Sequence, residues 1–288
     1  MSFPNFLLTA AALACTTAAV AQTLPPSPCD QQLVSYGARK PGKAESWNFS
    51  RNAAGGGSLT YFGAEHSQSP QHEQFARIKQ AFEASKPTVV FFEGPNRGVD
   101  STEAATISRL GESGYVRYLA KLHNVPVESL DNPAAEYSYL KERIDLEKLK
   151  LFYLLREAQR LRLRTGASKE QIVKATEAML AKSAQMLPGS DAVIKTVPEL
   201  EAAYRKYWPD GSQWWEAPAA WFDPKAESAS TGGQFTNEVN RASSEFRNLY
   251  MYRKLAEKAQ AGQRVFAVVG RDHVPAQAPA LDCALAKK

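Results

Sequence analysis

Thr88-Val89-Val90-Phe91-Phe92-Glu93-Gly94 is apolar from Val89 to Phe92 without alternation and then stops at an acid and a glycine. A strand with one wet face alternates polar and apolar residues. A strand covered on both faces does not, and such strands belong to parallel sheets. The stretch therefore predicts an interior strand with a carboxylate at its carboxyl end. Outward from it, the pattern alternates. Upstream, Gln71 to Ser85 reads as a helix with Phe75, Ile78 and Phe82 on one face, preceded by a strand at Leu59-Thr60-Tyr61-Phe62. Downstream, Thr102 to His123 reads as a helix broken near Gly111 and Gly114, followed by a short strand at Val125 to Leu130. A long helix from Gly233 to Ala261 leads to the last strand, Arg264 to Val269, and a short tail runs to Cys283. This order predicts an α/β fold with a mainly parallel central sheet flanked by helices.

Residues 132–232 interrupt the alternation, and we read them as a helical and Trp-rich insertion in a single domain spanning 58–288. Asn132 to about Gln185 is helical, with Ile144, Leu146, Leu149, Phe152, Leu155 and Leu161 as its apolar stripe. Ser168-Lys169-Glu170-Gln171 has the form of a capping box. The basic run Arg156, Arg160, Arg162 and Arg164 reads as a solvated helix face. Trp208, Trp214, Trp215 and Trp221 are four of the five tryptophans. They pin the insertion to the body or form a lid or platform beside a site.

The chain has 288 residues, 44% hydrophobic and 23% charged, which excludes disorder, collagen and coiled coil as descriptions of the whole. A net charge of +5 over this length is too mild for a nucleic-acid binder. Met1 to Ala21 carries no acidic or basic side chain and ends in Ala19-Val20-Ala21, the form of a secretory signal peptide with its cleavage site. An uncleaved anchor and a lipoprotein site at Cys15 are the weaker readings. The expectation is a periplasmic or secreted protein with no membrane span after cleavage. Residues 22–57, rich in Pro, Ser, Gly and Ala, read as an N-terminal arm with little regular structure. With Cys15 removed, Cys29 and Cys283 remain, and export favours a disulfide between them over two free thiols.

Three ionisable side chains directly follow predicted strands. His66 ends Gly63-Ala64-Glu65-His66, Glu93 follows Phe92, and His273 ends Gly270-Arg271-Asp272-His273. In open α/β sheets, ligands bind outside the carboxyl ends of the strands, so the three are expected to converge there. Seventeen glycines and four histidines in random order would give about 0.2 Gly-x-x-His frames, so finding two, both after strands, sets the frames apart from chance. The glycine is expected to let the chain turn off the strand. Two imidazoles and a carboxylate are a plausible set for a divalent metal (manganese, cobalt or zinc), and equally a metal-free acid/base group. His72 and His123, at helix ends, read as structural.

The pieces Tyr61-Phe62-Gly63-Ala64-Glu65-His66, Phe92-Glu93-Gly94, Gly111-Glu112-Ser113-Gly114, Phe246-Arg247-Asn248 and Val269-Gly270-Arg271-Asp272-His273 resemble the TraB/GumN (TIKI-like) superfamily, related to ChaN-like and erythromycin-esterase-like proteins. The resemblance implies an α/β fold and an exported metal-dependent hydrolase of peptide or ester bonds. His66, Glu93 and His273 would hold the metal, Glu112 would be the acid/base, Arg247 would steady developing negative charge, and Glu65 would be a second base. Asp272 would orient His273 or join the ligands. The alternative implied by the ChaN-like relatives is a non-catalytic protein holding haem in the same cleft. The expected partner is a peptide or small-molecule substrate.

Overall fold

The structure is a computed structural model that describes residues 26–36 and 47–286. The expected signal segment lies outside the described residues. Among the described residues, five strands and ten α-helices follow a 3-10 turn at Pro28–Gln32: β1 (Asn48–Asn52), β2 (Ser58–Ala64), α1 (Gln74–Ser85), β3 (Val89–Phe92), α2 (Glu103–Leu122), β4 (Val127–Ser129), α3 (Pro133–Lys141), α4 (Leu146–Thr165), α5 (Lys169–Ala181), α6 (Ser183–Met186), α7 (Val197–Tyr207), α8 (Ser228–Thr231), α9 (Thr236–Gln260), β5 (Arg264–Gly270) and α10 (His273–Ala286).

The sheet order is β1-β2-β5-β3-β4. All neighbours are parallel except β1, which pairs antiparallel with β2. The expected α/β fold with a mainly parallel sheet is present. Alternate residues of each strand feed opposite cores, as the period of two requires. Tyr61, Phe91, Val265 and Ala267 pack with Met251 and Leu255 of α9 and Leu281 of α10. Phe62, Val90, Phe92 and Phe266 pack with Phe75 and Phe82 of α1 and Val116 and Leu119 of α2. Both faces are covered, which explains why β3 is apolar throughout.

Two segments differ from the sequence reading. The N-terminal arm contains the regular strand β1, which is almost wholly exposed, so the polar Asn48-Phe49-Ser50-Arg51-Asn52 carries no apolar signal. The tail after the last strand is the helix α10. Pro275 sits in its first turn, where no internal N–H bond is lost, and Pro279 removes one bond from its interior. Burial of Val274, Ala276, Ala280, Leu281 and Leu285 offsets that loss. The tail ends in a disulfide: Cys283 is joined to Cys29, with 5.7 Å between their Cα atoms.

The insertion has its own core, built from α3 to α7 and the tryptophan stretch. Trp208 and Trp221 stack at 4.6 Å with their planes 13° apart, and Trp208 stacks on Tyr204 at 5.1 Å. Their indole N–H groups donate to the carbonyls of Gly232 and Thr231 at 2.7 and 3.1 Å. These rings pack the insertion, and none of the four tryptophans lines the cleft described below. Among the described residues, no helix is long and apolar enough to cross a membrane.

Candidate active site

β2, β5 and β3 lie side by side, with Ala64 opposite Gly270 and Phe92 opposite Val268. The residues that follow, His66, His273 and Glu93, therefore emerge from adjacent carboxyl ends and line one cleft of about 680 Å³. The register of three strands thus unites residues 207 positions apart, as the sequence predicted.

The glycines of the two frames serve close approach rather than turning. A Cβ on Gly63 would lie 2.6 Å from the Trp47 carbonyl oxygen and 2.9 Å from Arg271 Cα. A Cβ on Gly270 would lie 3.3 Å from Glu93 Oε2 and 3.6 Å from His66 Nε2. Neither has the positive φ that a left-handed turn needs. Gly111 does, at φ 59°, and it kinks α2 one residue before Glu112.

His66 and Glu112 form one unit. His66 Nδ1 lies 2.7 Å from Glu112 Oε1. The carboxylate accepts from Nδ1–H, which leaves the Nε2 lone pair toward the cleft with no hydrogen-bond partner among the described residues. The His66 side chain is 67% exposed and Glu112 is largely buried, so the base faces solvent and its orienting acid does not. The hydrogen bond to Glu112 outweighs burial and raises the imidazole pKa above its ordinary value. Glu112, expected as the acid/base itself, is joined to the cleft by its hydrogen bond to His66, which lines it.

Glu93 and His273 form a second unit. Glu93 Oε1 accepts from Arg247 Nη2 at 2.8 Å, and Oε2 from the Gly270 N–H at 2.7 Å. Burial works to raise the Glu93 carboxyl, but the Arg247 charge beside it wins and holds it well below the usual carboxylate range. The same Arg247 nitrogen donates to Asp131 Oδ1 at 2.9 Å. Expected to meet developing negative charge, Arg247 instead has two carboxylates on it already.

A buried chain of hydrogen bonds sets the His273 tautomer. Tyr61 O–H donates to Gln277 Oε1 (3.1 Å), Gln277 Nε2 donates to Asn248 Oδ1 (2.9 Å), and that oxygen also accepts from His273 Nδ1–H (2.7 Å). Nε2 is left as an acceptor 3.9 Å from Glu93 Oε1. Burial, reinforced by Arg247 against the pull of Glu93, pushes the His273 pKa down to about 4, so the ring is neutral at neutral pH. Asp272 pairs with Lys225 at 2.8 Å.

Glu65 stands at the rim, paired with Arg271 and 3.6 Å from His72 Nε2. His123 caps α2 and its ring packs on Phe82, and His72 Nδ1 accepts from the Gln74 N–H at 3.3 Å. The basic run is divided: Arg160 pairs with Glu157 at 2.7 Å, Arg162 donates to the Ala217 carbonyl at 2.8 Å, and Arg156 and Arg164 line the cleft. Asp131, Asn248 and Arg156 were not singled out from the sequence. Asp131 follows β4, so the strand-end rule that found Glu93 applies to it too. Asn248 lies in the quoted Phe246-Arg247-Asn248 piece, and Arg156 in the basic run.

Of the three side chains expected to hold a metal, Glu93 is already engaged by Arg247 at 2.8 Å. The cleft lining is mostly charged and polar. Compared with protein-family models, with curated proteins and with solved structures, the chain matches none.

Proposed function

We propose that the protein is an exported hydrolase of peptide or ester bonds, of the TraB/GumN type that its motifs resemble, working by water activation without a metal. The observation that carries this reading is the His66–Glu112 pair, whose free Nε2 opens on the cleft that Glu93 and His273 also line. Glu112 fixes the tautomer and favours the imidazolium, as the carboxylate of a histidine-based triad does. Glu93 Oε1 and His273 Nε2 are two acceptors 3.9 Å apart, a spacing that one water can bridge with its two protons.

In this mechanism His66 Nε2 takes a proton from water as the oxygen adds to the carbonyl carbon. The C–O or C–N bond then breaks, and His66 returns the proton to the leaving oxygen or nitrogen. The products are a carboxylic acid and an alcohol or amine. Glu112, Arg247 and Asn248 are positioning residues: they hold His66, Glu93 and His273. Export is supported by the disulfide.

The test is a screen of p-nitrophenyl esters and a peptide library with EDTA present. Turnover is expected, with His66→Ala slowing it by about 10²- to 10⁴-fold. Absence of turnover on both substrate classes, with and without added manganese, cobalt or zinc, would overturn the hydrolase reading. Turnover only with added metal would return His66, Glu93 and His273 to the role of ligands.

A further inference from the structure

Beside the cleft, the helical insertion holds a second cavity of about 270 Å³. Tyr137, Tyr153, Leu154, Met179, Met186 and Leu187 make it mostly apolar. Two cations also line it, Lys150 and Arg156. Lys150 is buried and donates to Ser183 Oγ (3.2 Å) and to the carbonyls of Ser190 (2.9 Å) and Val193 (2.8 Å), so its nitrogen is satisfied, and among the described residues no carboxylate is hydrogen-bonded to it. Arg156 has neither a hydrogen bond nor an ion pair among the described residues. Burial, with Arg247 nearby, lowers its pKa. The acid facing this pocket, Glu136, accepts instead from Ser243 Oγ at 2.6 Å.

Arg156 is also part of the cleft wall, and so stands at the seam between the apolar pocket and the His66 site. Glu136 lies near enough to act on the Arg156 charge but takes none of its N–H groups, so the guanidinium donors are open to a ligand. A single planar fork suits a carboxylate, taken bidentately; a phosphate site more often adds backbone N–H groups.

We propose that the pocket is a substrate subsite for an apolar group bearing a carboxylate, the apolar part in the pocket, the carboxylate on Arg156, and the rest of the molecule extending into the cleft. This deepens the hydrolase reading and rests on it for the word substrate. Two sources share the chemistry: a medium-chain fatty acid and the apolar C-terminal residue of a peptide.

Calorimetric titration with octanoate and octanol, and with N-acetylphenylalanine and its amide, separates them. At least one acid is expected to bind about tenfold more tightly than its neutral counterpart. The preferred acid names the source. Arg156→Gln should erase the preference, Arg156→Lys should keep part of it, and Met179→Trp should weaken acid and neutral probe alike by filling the pocket. Circular dichroism checks that each variant is folded. Acids bound no better than their neutral counterparts, or a preference that survives Arg156→Gln, would overturn the proposal. The same titrations on His66→Ala should be unchanged. Binding without any turnover by the wild type would remove the hydrolase reading and leave the subsite standing.

Discussion

Replacing Arg247 with methionine tests the centre of the site. The side chain keeps an unbranched stem and loses the charged guanidinium at its end. Glu93 and Asp131 then face one vacated position from which they had accepted at 2.8 and 2.9 Å. Removing one partner of a buried ion pair costs about 3–5 kcal/mol, because the charge left behind is uncompensated. The three side chains are 17%, 21% and 25% exposed, so water relieves part of this and the lower end, about 3 kcal/mol, applies. For a chain of this size that is a fall in Tm of about 6–12 °C. Urea and thermal melts at pH 7 measure it. Adding Glu93→Gln to the variant removes one of the stranded charges, so the pair of substitutions should cost less than the sum of each alone. The pH dependence follows from the sign of the shift. In the wild type the folded Glu93 pKa lies below its unfolded value, so its contribution is present above the unfolded pKa and is lost as pH falls toward the folded one. In the variant an uncompensated carboxylate is destabilising when ionised, and acid relieves it. The stability gap between the two proteins should therefore narrow between pH 7 and pH 4. A loss below about 1 kcal/mol, or a gap of constant size over that range, would refute the account.

Two further predictions concern the histidines and the disulfide. In NMR titrations His66 should titrate above the ordinary histidine value and fall toward it in Glu112→Gln, while His273 should stay neutral down to about pH 4; a His66 pKa indifferent to Glu112 would remove the orienting role. Cys29→Ala with Cys283→Ala opens a closure of 254 positions, worth about 5 kcal/mol in the chain-entropy model, or a Tm lower by about 10–20 °C, and a differential-scanning-calorimetry shift under about 3 °C would contradict it.

The strands that set the architecture were legible because burial on both faces leaves an unbroken apolar run, as in Val89–Phe92 and Val265–Val269. The site was legible for a related reason: in a parallel sheet every strand delivers its next residues to the same edge, so local order along the chain predicts convergence in space. What failed were elements whose signal lies elsewhere. β1 is held by backbone pairing to β2 while its side chains face solvent. α10 carries two prolines, and only tertiary burial makes it a helix. Asn248 and Arg156 sit on helices, where the sequence shows which face is apolar but not which polar residue on the boundary meets another element. Arg156 and Arg160 are one turn apart on α4, yet one pairs with Glu157 and the other opens on two cavities.

The twin Gly-x-x-His frames look like a symmetric pair, and their chemistry is set by making them unequal. β2 and β5 run side by side, so Gly63 and Gly270 reach the same edge in nearly the same register. Beyond that edge the chain diverges. After Ala64 it enters a loop that the buried Gln74 clamps at both the N–H and the carbonyl of Glu65, and His66 is left facing solvent with an acid behind it. After Gly270 it turns directly into α10, and His273 becomes the first residue of a helix packed into the core, where a neutral amide, Asn248, accepts the hydrogen bond from its Nδ1–H. One frame thus gives an imidazole raised by a carboxylate, and the other an imidazole lowered by burial. Environments that push two like groups apart in this way are how a single site assigns a proton carrier and a neutral hydrogen-bond partner. On this geometry Glu112 favours the charged form of His66 and burial the neutral form of His273, so the difference between them lies in their surroundings rather than in the histidines themselves.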